Sequence, residues 1–333
     1  MLGNIHRRSI AALVVAVSSL LSPIQAHAQS WPTKQITLVV PFAAGGPSDV
    51  IGRLMADYLG RTLGQQIIVE NVGGAGGTLG MDRVAKSDAD GYTLLTHHSA
   101  FTAAPALYSN LKFDARTAFE PIGLINTGPM VLISRKTLEA KNAAELVAWL
   151  KEKGDKATIG FAGVGSNSFI CATVLQNLTG TKPSMVPYRG TGPAMNDLVG
   201  GQIDVLCDQS TTAVPQVLAG SVKAYAVTSS ERSASLPDVP SNKEAGLPGL
   251  QVTIWNGLYA PKGTPKAVVE KINAALGKML TDPEMLKRFD STGTVAFAAD
   301  KRSPQAHAAH VTEQFEFFKT MFAKAGIKQQ EAK

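Results

Sequence analysis

The chain has 333 residues, with 44% apolar and 17% charged side chains, an ordinary globular balance that excludes a disordered polar chain and leaves room for two domains of ~100–200 residues each. Its formal charge is +6. The excess is too mild for a nucleic-acid interface, and no stripe of Lys and Arg with interleaved aromatics appears.

Residues 1–28 read as a secretory leader. Arg7 and Arg8 precede an apolar run from Ile10 to Leu21, and Ala26-His27-Ala28 supplies the small-x-small pattern of a cleavage site, leaving Gln29 as the new N-terminus. The run is shorter than the ~20 residues of a membrane span. No later apolar segment without charges is longer, so a soluble exported protein is expected. Losing Arg7 and Arg8 leaves 30 basic against 26 acidic side chains, a net +4.

From Ile36 onward, strand-like and helix-like runs alternate, the pattern of α/β domains with largely parallel sheets. Ile36 to Val40 is short and β-branched. It runs into Pro41-Phe42-Ala43-Ala44-Gly45-Gly46-Pro47-Ser48-Asp49 and then into a helix predicted near 49–63, with Ser48 or Asp49 as its cap. Free N–H groups at such a helix start attract carboxylate or phosphate. The same turn is equally ordinary α/β architecture. A strand at 66–70 leads through a glycine-rich turn at 71–77 to a helix near 78–86, and a third strand covers 92–96. Strands at 119–124 and 130–134, a helix at 143–153 and a strand at 158–163 follow. A second glycine-rich turn, Gly163-Val164-Gly165-Ser166-Asn167-Ser168, restarts the pattern. Strands at 184–186, 203–208 and 223–228 are separated by helices near 194–199 and 212–219. A loop-rich stretch then leads to an apolar run at 254–260 and helices near 265–280, 282–289 and 303–325.

Four turns stand at predicted strand ends: 42–49, 96–102, 163–168 and 188–193, with Asp208-Gln209-Ser210 a possible fifth. They are dominated by Gly, Ser, Thr and Asn, which provide neutral donors and open backbone amides suited to an anion. Enzymatic readings fit poorly. Neither glycine cluster completes a dinucleotide fingerprint, no phosphate-loop sequence occurs, and Ser166 lacks the following glycine of a nucleophile elbow. His97 and His98 are adjacent on a strand and therefore face opposite sides, which hinders shared metal ligation; one is expected to face the cleft. Arg189 suits either a bidentate carboxylate contact or a surface ion pair. Phe42, Phe101, Phe169 and Trp255 lie in or beside the cleft turns and suit either an aromatic ligand or the core. Cys171, in a helical pattern, and Cys207, at a strand end, fit no zinc spacing, and the reading favours two buried thiols over a bridge.

On these residues the chain resembles the extracytoplasmic receptors of tripartite tricarboxylate transporters, the Bug or TctC-like family. The matching segments are Trp31-Pro32, the 41–49 loop, the 70–77 turn, 90–95, Val186-Pro187-Tyr188-Arg189-Gly190 and Tyr259-Ala260-Pro261-Lys262-Gly263-Thr264-Pro265. The resemblance implies an α/β fold of the two-lobed periplasmic-binding-protein type (type II-like, a Venus flytrap). Lobe 1 would combine 31–131 with 254–333, and lobe 2 would span 132–253. It implies no catalysis, no cofactor and no metal. A carboxylate would sit on Phe42, Ala43, Ala44, Gly45, Gly46, Ser48 and Asp49, Asp49 being read as a helix cap. The second lobe would contribute Gly165, Ser166, Asn167, Thr191 and Asp208, with His98, Phe169 and Arg189 as further candidates. Phe169 replaces a histidine common in relatives and, with Phe101 and the histidine pair, points toward an aromatic dicarboxylate such as terephthalate; a citrate-like aliphatic acid is the alternative. The implied partners are the permease subunits of a tripartite tricarboxylate transporter in the periplasm, with a membrane signalling protein as the alternative and no nucleic acid. A secreted serine hydrolase using Ser166 or Ser48 is the remote alternative.

Overall fold

The apolar, β-branched run forms β1 (Ile36–Val40), which pairs in parallel with β2 (Ile67–Asn71) and β3 (Thr93–His98). The computed structural model describes residues 31–324, 329 and 331, so the predicted leader lies outside the described residues. The other partner of β3 is antiparallel: β9 (Thr253–Pro261) returns from the far end of the chain and pairs Leu95 with Tyr259. Beside it runs β4 (Phe119–Arg135), one strand of 17 residues where two were predicted.

Its partner changes midway. Phe119 to Pro129 pairs with β9, while Met130 onward pairs with β7 (Val205–Gln209) and β8 (Val222–Val227). Pro129 has no amide proton for a ladder, and it stands where one partner is exchanged for the other. The sheet continues from β7 through β5 (Thr158–Phe161) to β6 (Ser184–Pro187), giving the order β2-β1-β3-β9-β4-β7-β5-β6. A short β10 (Val295–Ala296) adds to β4 at Thr127 and Asn126. Two sets of strands therefore hang on one shared strand, the skeleton of two lobes.

Helices cover both sets. On the first side lie α1 (Pro47–Leu63), α2 (Thr78–Ala85) and α3 (Ala100–Leu107); on the second lie α4 (Ala143–Lys153), α5 (Asn167–Thr179), α6 (Thr191–Val199) and α7 (Ser210–Leu218). The C-terminal helices are α8 (Lys266–Met279), α9 (Pro283–Ser291) and α10 (Pro304–Lys324). Ile51, Met55 and Leu59 on α1 repeat every four residues and are all buried, which is why that segment is helical and which face it turns inward. No helix among the described residues is long and apolar enough to cross a membrane.

Two expectations are corrected here. Residues 100–107 form a helix where the sequence suggested a turn to Thr102, and Phe101 points into the core, stacked on Tyr259 at 4.4 Å. Cys171 and Cys207 are joined, with Cα atoms 6.2 Å apart. α5 lies across the face of β7 that carries Cys207, so both sulfurs enter the same apolar cluster as Leu175 and Val205. Helix and strand were each legible, but their contact was not.

Candidate functional site

The loop after β1 is held by polar anchors. α1 begins at Pro47, two residues before the predicted start, with Gly46 as its cap position and no side-chain cap bond. Asp49, expected to cap the helix, instead reaches backward and sideways. Its carboxylate accepts from Gly45 N (3.0 Å), Arg53 Nε (2.9 Å) and Asn71 Nδ2 (3.0 Å), while Asn71 also donates to the Phe42 carbonyl (3.0 Å). Burial alone would raise the Asp49 pKa, but these bonds outweigh it and hold the group ionised below its usual range. Asp49 thus fixes the loop from behind.

The front of that loop meets the opposite lobe across a narrow gap of about 10 Å³. That is close to the least room a single water needs. Phe42, Gly46, Pro47 and Ser48 line one side together with His98. Ser166, Asn167 and Ser168 at the start of α5, Thr191 at the start of α6, and Asp208 with Gln209 just before α7 line the other, together with Met130 and Ala162. Four helix N-termini therefore converge on one buried space. Amides in a first helical turn lack intrahelical acceptors and carry the positive end of the helix dipole, and no lysine or arginine lines the gap. An anion entering it would be held by neutral donors and dipoles.

The contact between the lobes is close. Ala43 N donates to Arg189 O (2.9 Å), and the Tyr108 hydroxyl donates to Val164 O (2.6 Å). Asn167 accepts from the Ser99 hydroxyl (3.0 Å), and its amide nitrogen lies 3.1 Å from His98 Nδ1, which also accepts from Ala100 N (3.2 Å). Taking both as donors to Nδ1 assigns the proton of His98 to Nε2. Glycines make the approach possible: a Cβ on Gly192 would lie 2.6 Å from Ala44 O, and one on Gly76, at φ +62°, would overlap the Val164 carbonyl.

The histidines are neutral. Burial drives the His97 pKa down to about 3 and His98 well below the ordinary value, with the neighbouring His97 adding to the effect. Both are buried: His98 stacks on Phe42 at 4.6 Å and His97 packs edge-on against Phe101.

Of the predicted residues, Phe42, Gly46, Ser48, His98, Ser166, Asn167, Thr191 and Asp208 meet at the gap. Ala44 and Gly45 are exposed, and Ala43 enters the interlobe contact through its backbone. Gly165, at φ +80°, faces Leu107 and Tyr108. Arg189 turns its side chain to solvent and contributes only its carbonyl. Phe169 lies against Phe161, ring centres 5.5 Å apart, and Trp255 packs on His310. Sequence reasoning missed Met130 and Ala162, while Pro47 stood inside the quoted 41–49 loop without being named as a contact. Ser168 and Gln209 stood inside quoted turns without being singled out. The Ser166 hydroxyl caps α5 by accepting from Phe169 N (3.2 Å) and pairs with Ser168 Oγ (3.0 Å), so its partners are those of a cap and not of a nucleophile.

A family model described as tripartite tricarboxylate transporter family receptor matches residues 51–326. An Agrobacterium vitis protein, described as a UPF0065 protein in the TAR-I ttuE-ttuC' intergenic region, is 44% identical over 97% of this chain and 93% of its own. Among solved structures, the periplasmic binding protein BugD is 43% identical with a TM-score of 0.87, over 90% of this chain and all of that one. MatC from Rhodopseudomonas palustris with bound malate is 40% identical with a TM-score of 0.84, over 87% and 99%.

Proposed function

Because the chain belongs to the tripartite tricarboxylate transporter receptor family, we propose that it is a periplasmic receptor that closes on a small dicarboxylate and presents it to the permease of such a transporter. The observation that carries this is the convergence of four helix N-termini on a buried gap lined by neutral donors and no fixed cation. We further propose that lobe 1 combines 31–131 with 254–333 and lobe 2 spans 132–253, the crossings being β4 and the start of β9. A ligand bridging both sides stabilises the closed form only by its extra affinity for that form. The malate named for a relative 40% identical to this chain is a small dicarboxylate of this class, and because the gap as it stands holds about one water, the two sides must part to admit such a ligand.

The aromatic ligand suggested by the sequence, terephthalate in particular, drew on Phe101 and Phe169. One is core, the other packs on Phe161, and Phe42 is the sole aromatic carbocycle on the gap. The geometry therefore favours an aliphatic acid. A thermal-shift screen of protein refolded to remove carried ligand, using aliphatic and aromatic mono-, di- and tricarboxylates, tests both parts. A ligand at ~100 times its Kd adds ~2.7 kcal/mol of stability. A shift with aliphatic dicarboxylates is expected; a shift confined to aromatic ones would restore terephthalate, and none with any carboxylate would end the receptor assignment for this class.

A further inference from the structure

The gap offers donors almost everywhere, yet one of its lining groups is an acid. Asp208 is fully buried. Its Oδ2 accepts from Thr212 Oγ1 at 2.5 Å, while Oδ1 has no partner in hydrogen-bond geometry among the described residues, Thr191 and the Gln209 amide being near enough only to favour the charged form weakly. No lysine or arginine lines the gap to balance it, and the nearby histidine, His98, is itself buried. Burial raises the pKa of Asp208 against the opposing help of Thr212, Thr191 and the Gln209 backbone. A buried acceptor without a partner carries a desolvation cost that a bound molecule can relieve. A second carboxylate placed there would instead be repelled.

We infer that Asp208 is the specificity-determining residue of this gap, its free Oδ1 accepting a hydrogen bond from the ligand, so that the preferred ligand is a small carboxylate that also bears a hydroxyl or ammonium donor. The inference rests on the carboxylate reading of the same site. The helix N-termini take the ligand carboxylate, and Asp208, at the end of β7, reads the neighbouring polar substituent. A hydroxyl satisfies the orphan oxygen; an ammonium also balances the buried charge. A parent diacid with neither must either meet Asp208 as a like charge or bind with it protonated.

Titration calorimetry near neutral pH on the refolded full-length mature protein separates these cases, using two matched series: succinate, malate and aspartate; glutarate, 2-hydroxyglutarate and glutamate. At least one donor-bearing member should bind about tenfold or more tighter than its donor-free parent, the scale of a hydrogen bond to a charged group. Asp208→Ala should bring that ratio close to one. Asp208→Asn, which keeps an oxygen acceptor but removes the charge, distinguishes the donors. It should abolish a preference for ammonium and only reduce one for hydroxyl, and it serves as the test if the alanine variant does not fold. Parents binding as tightly as their substituted relatives, or a preference that survives both substitutions, would overturn the role of Asp208 while leaving the receptor intact. Failure of every acid in both series to bind would remove the small-dicarboxylate reading and this inference with it.

Discussion

The bridge between Cys171 and Cys207 gives the most direct check on the second lobe. It closes a loop of 36 residues between α5 and β7. In the chain-entropy model such a loop restricts the unfolded state by about 2.1 + 1.5R ln 36, or roughly 13 cal/mol/K, which is ~3.8 kcal/mol at 25 °C. With an unfolding entropy of ~2.1 cal/mol/K per residue over ~300 residues, each kcal/mol moves Tm by ~1.6 °C. Reduction should therefore lower Tm by about 6 °C. The assay compares oxidised and reduced wild type by calorimetry. Both forms keep the two sulfurs in the apolar cluster, so packing changes little, and a Cys171→Ala/Cys207→Ala double variant controls for the reductant. Two reactive thiols in the unfolded, unreduced protein would refute the bridge itself. A confirmed bridge whose loss leaves Tm unmoved would refute the loop-entropy reasoning. Because Asp208 follows Cys207 directly and Ser166 to Ser168 open the helix that carries Cys171, reduction should also weaken ligand binding.

Three further outcomes are expected. Gly192→Ala places a Cβ 2.6 Å from Ala44 O across the gap but within a helix that favours alanine; affinity should fall about tenfold or more, at the low end of overpacking costs, while Tm without ligand holds or rises, and unchanged calorimetric affinity would show that the lobes do not meet there when ligand is bound. Ser166→Ala removes the acceptor for Phe169 N, so urea unfolding should report a loss of ~1 kcal/mol alongside weaker binding; loss of neither would mean the cap is replaced by solvent. Burial holds His97 and His307 at pKa values of about 3, so between pH 6.5 and 3 the unfolded chain binds more protons than the folded one. Their neutral burial is fully tolerated above pH 6.5, and stability should drop below it by up to ~1.4 kcal/mol per pH unit for each histidine. His307→Leu, which removes two buried nitrogens without partners among the described residues, should flatten that slope, and a slope identical to wild type would rule out His307 as a source.

How much of this was legible in the sequence varied with how local the cause was. α4 matches its predicted bounds, Ala143–Lys153, because its signals lie within four residues: Asn142 accepts from Glu145 N and the Glu145 carboxylate returns to Lys141 N. β4 was split in two because Thr127-Gly128-Pro129 reads as a break, and only the change of partner from β9 to β7 explains why the strand survives it. α3 was hidden because six of its eight residues are buried, leaving no polar face to mark a helical period, and Pro105 interrupts it. At the site, the turns were visible from their Gly, Ser and Asn content, but the direction of a side chain was not. Phe101, Phe169 and Arg189 sit where predicted along the chain and point elsewhere, since core, Phe161 and solvent compete for them in three dimensions.

The same geometry explains why a receptor of this design needs both lobes. A site with a fixed arginine would hold an anion on one lobe, and binding would then do little to favour closure. Here the donors are divided: Ser48 and the start of α1 on one side, and Ser166, Asn167 and Thr191 on the other. Neither half offers a full positive charge, and amides and hydroxyls gain strength only as water leaves and the effective dielectric falls. The glycines at 76 and 192 let backbones approach far enough for that exclusion. The Ser99, His98 and Asn167 contacts and the Tyr108 bond to Val164 add interlobe polar bonds that require no ligand. Against these bonds stands the desolvation cost of the buried acid at Asp208, whose Oδ1 has no partner in hydrogen-bond geometry among the described residues. A ligand that satisfies Asp208 while its carboxylate takes the helix N-termini gains most in the closed form, which is the differential affinity that transport through a conformational signal requires.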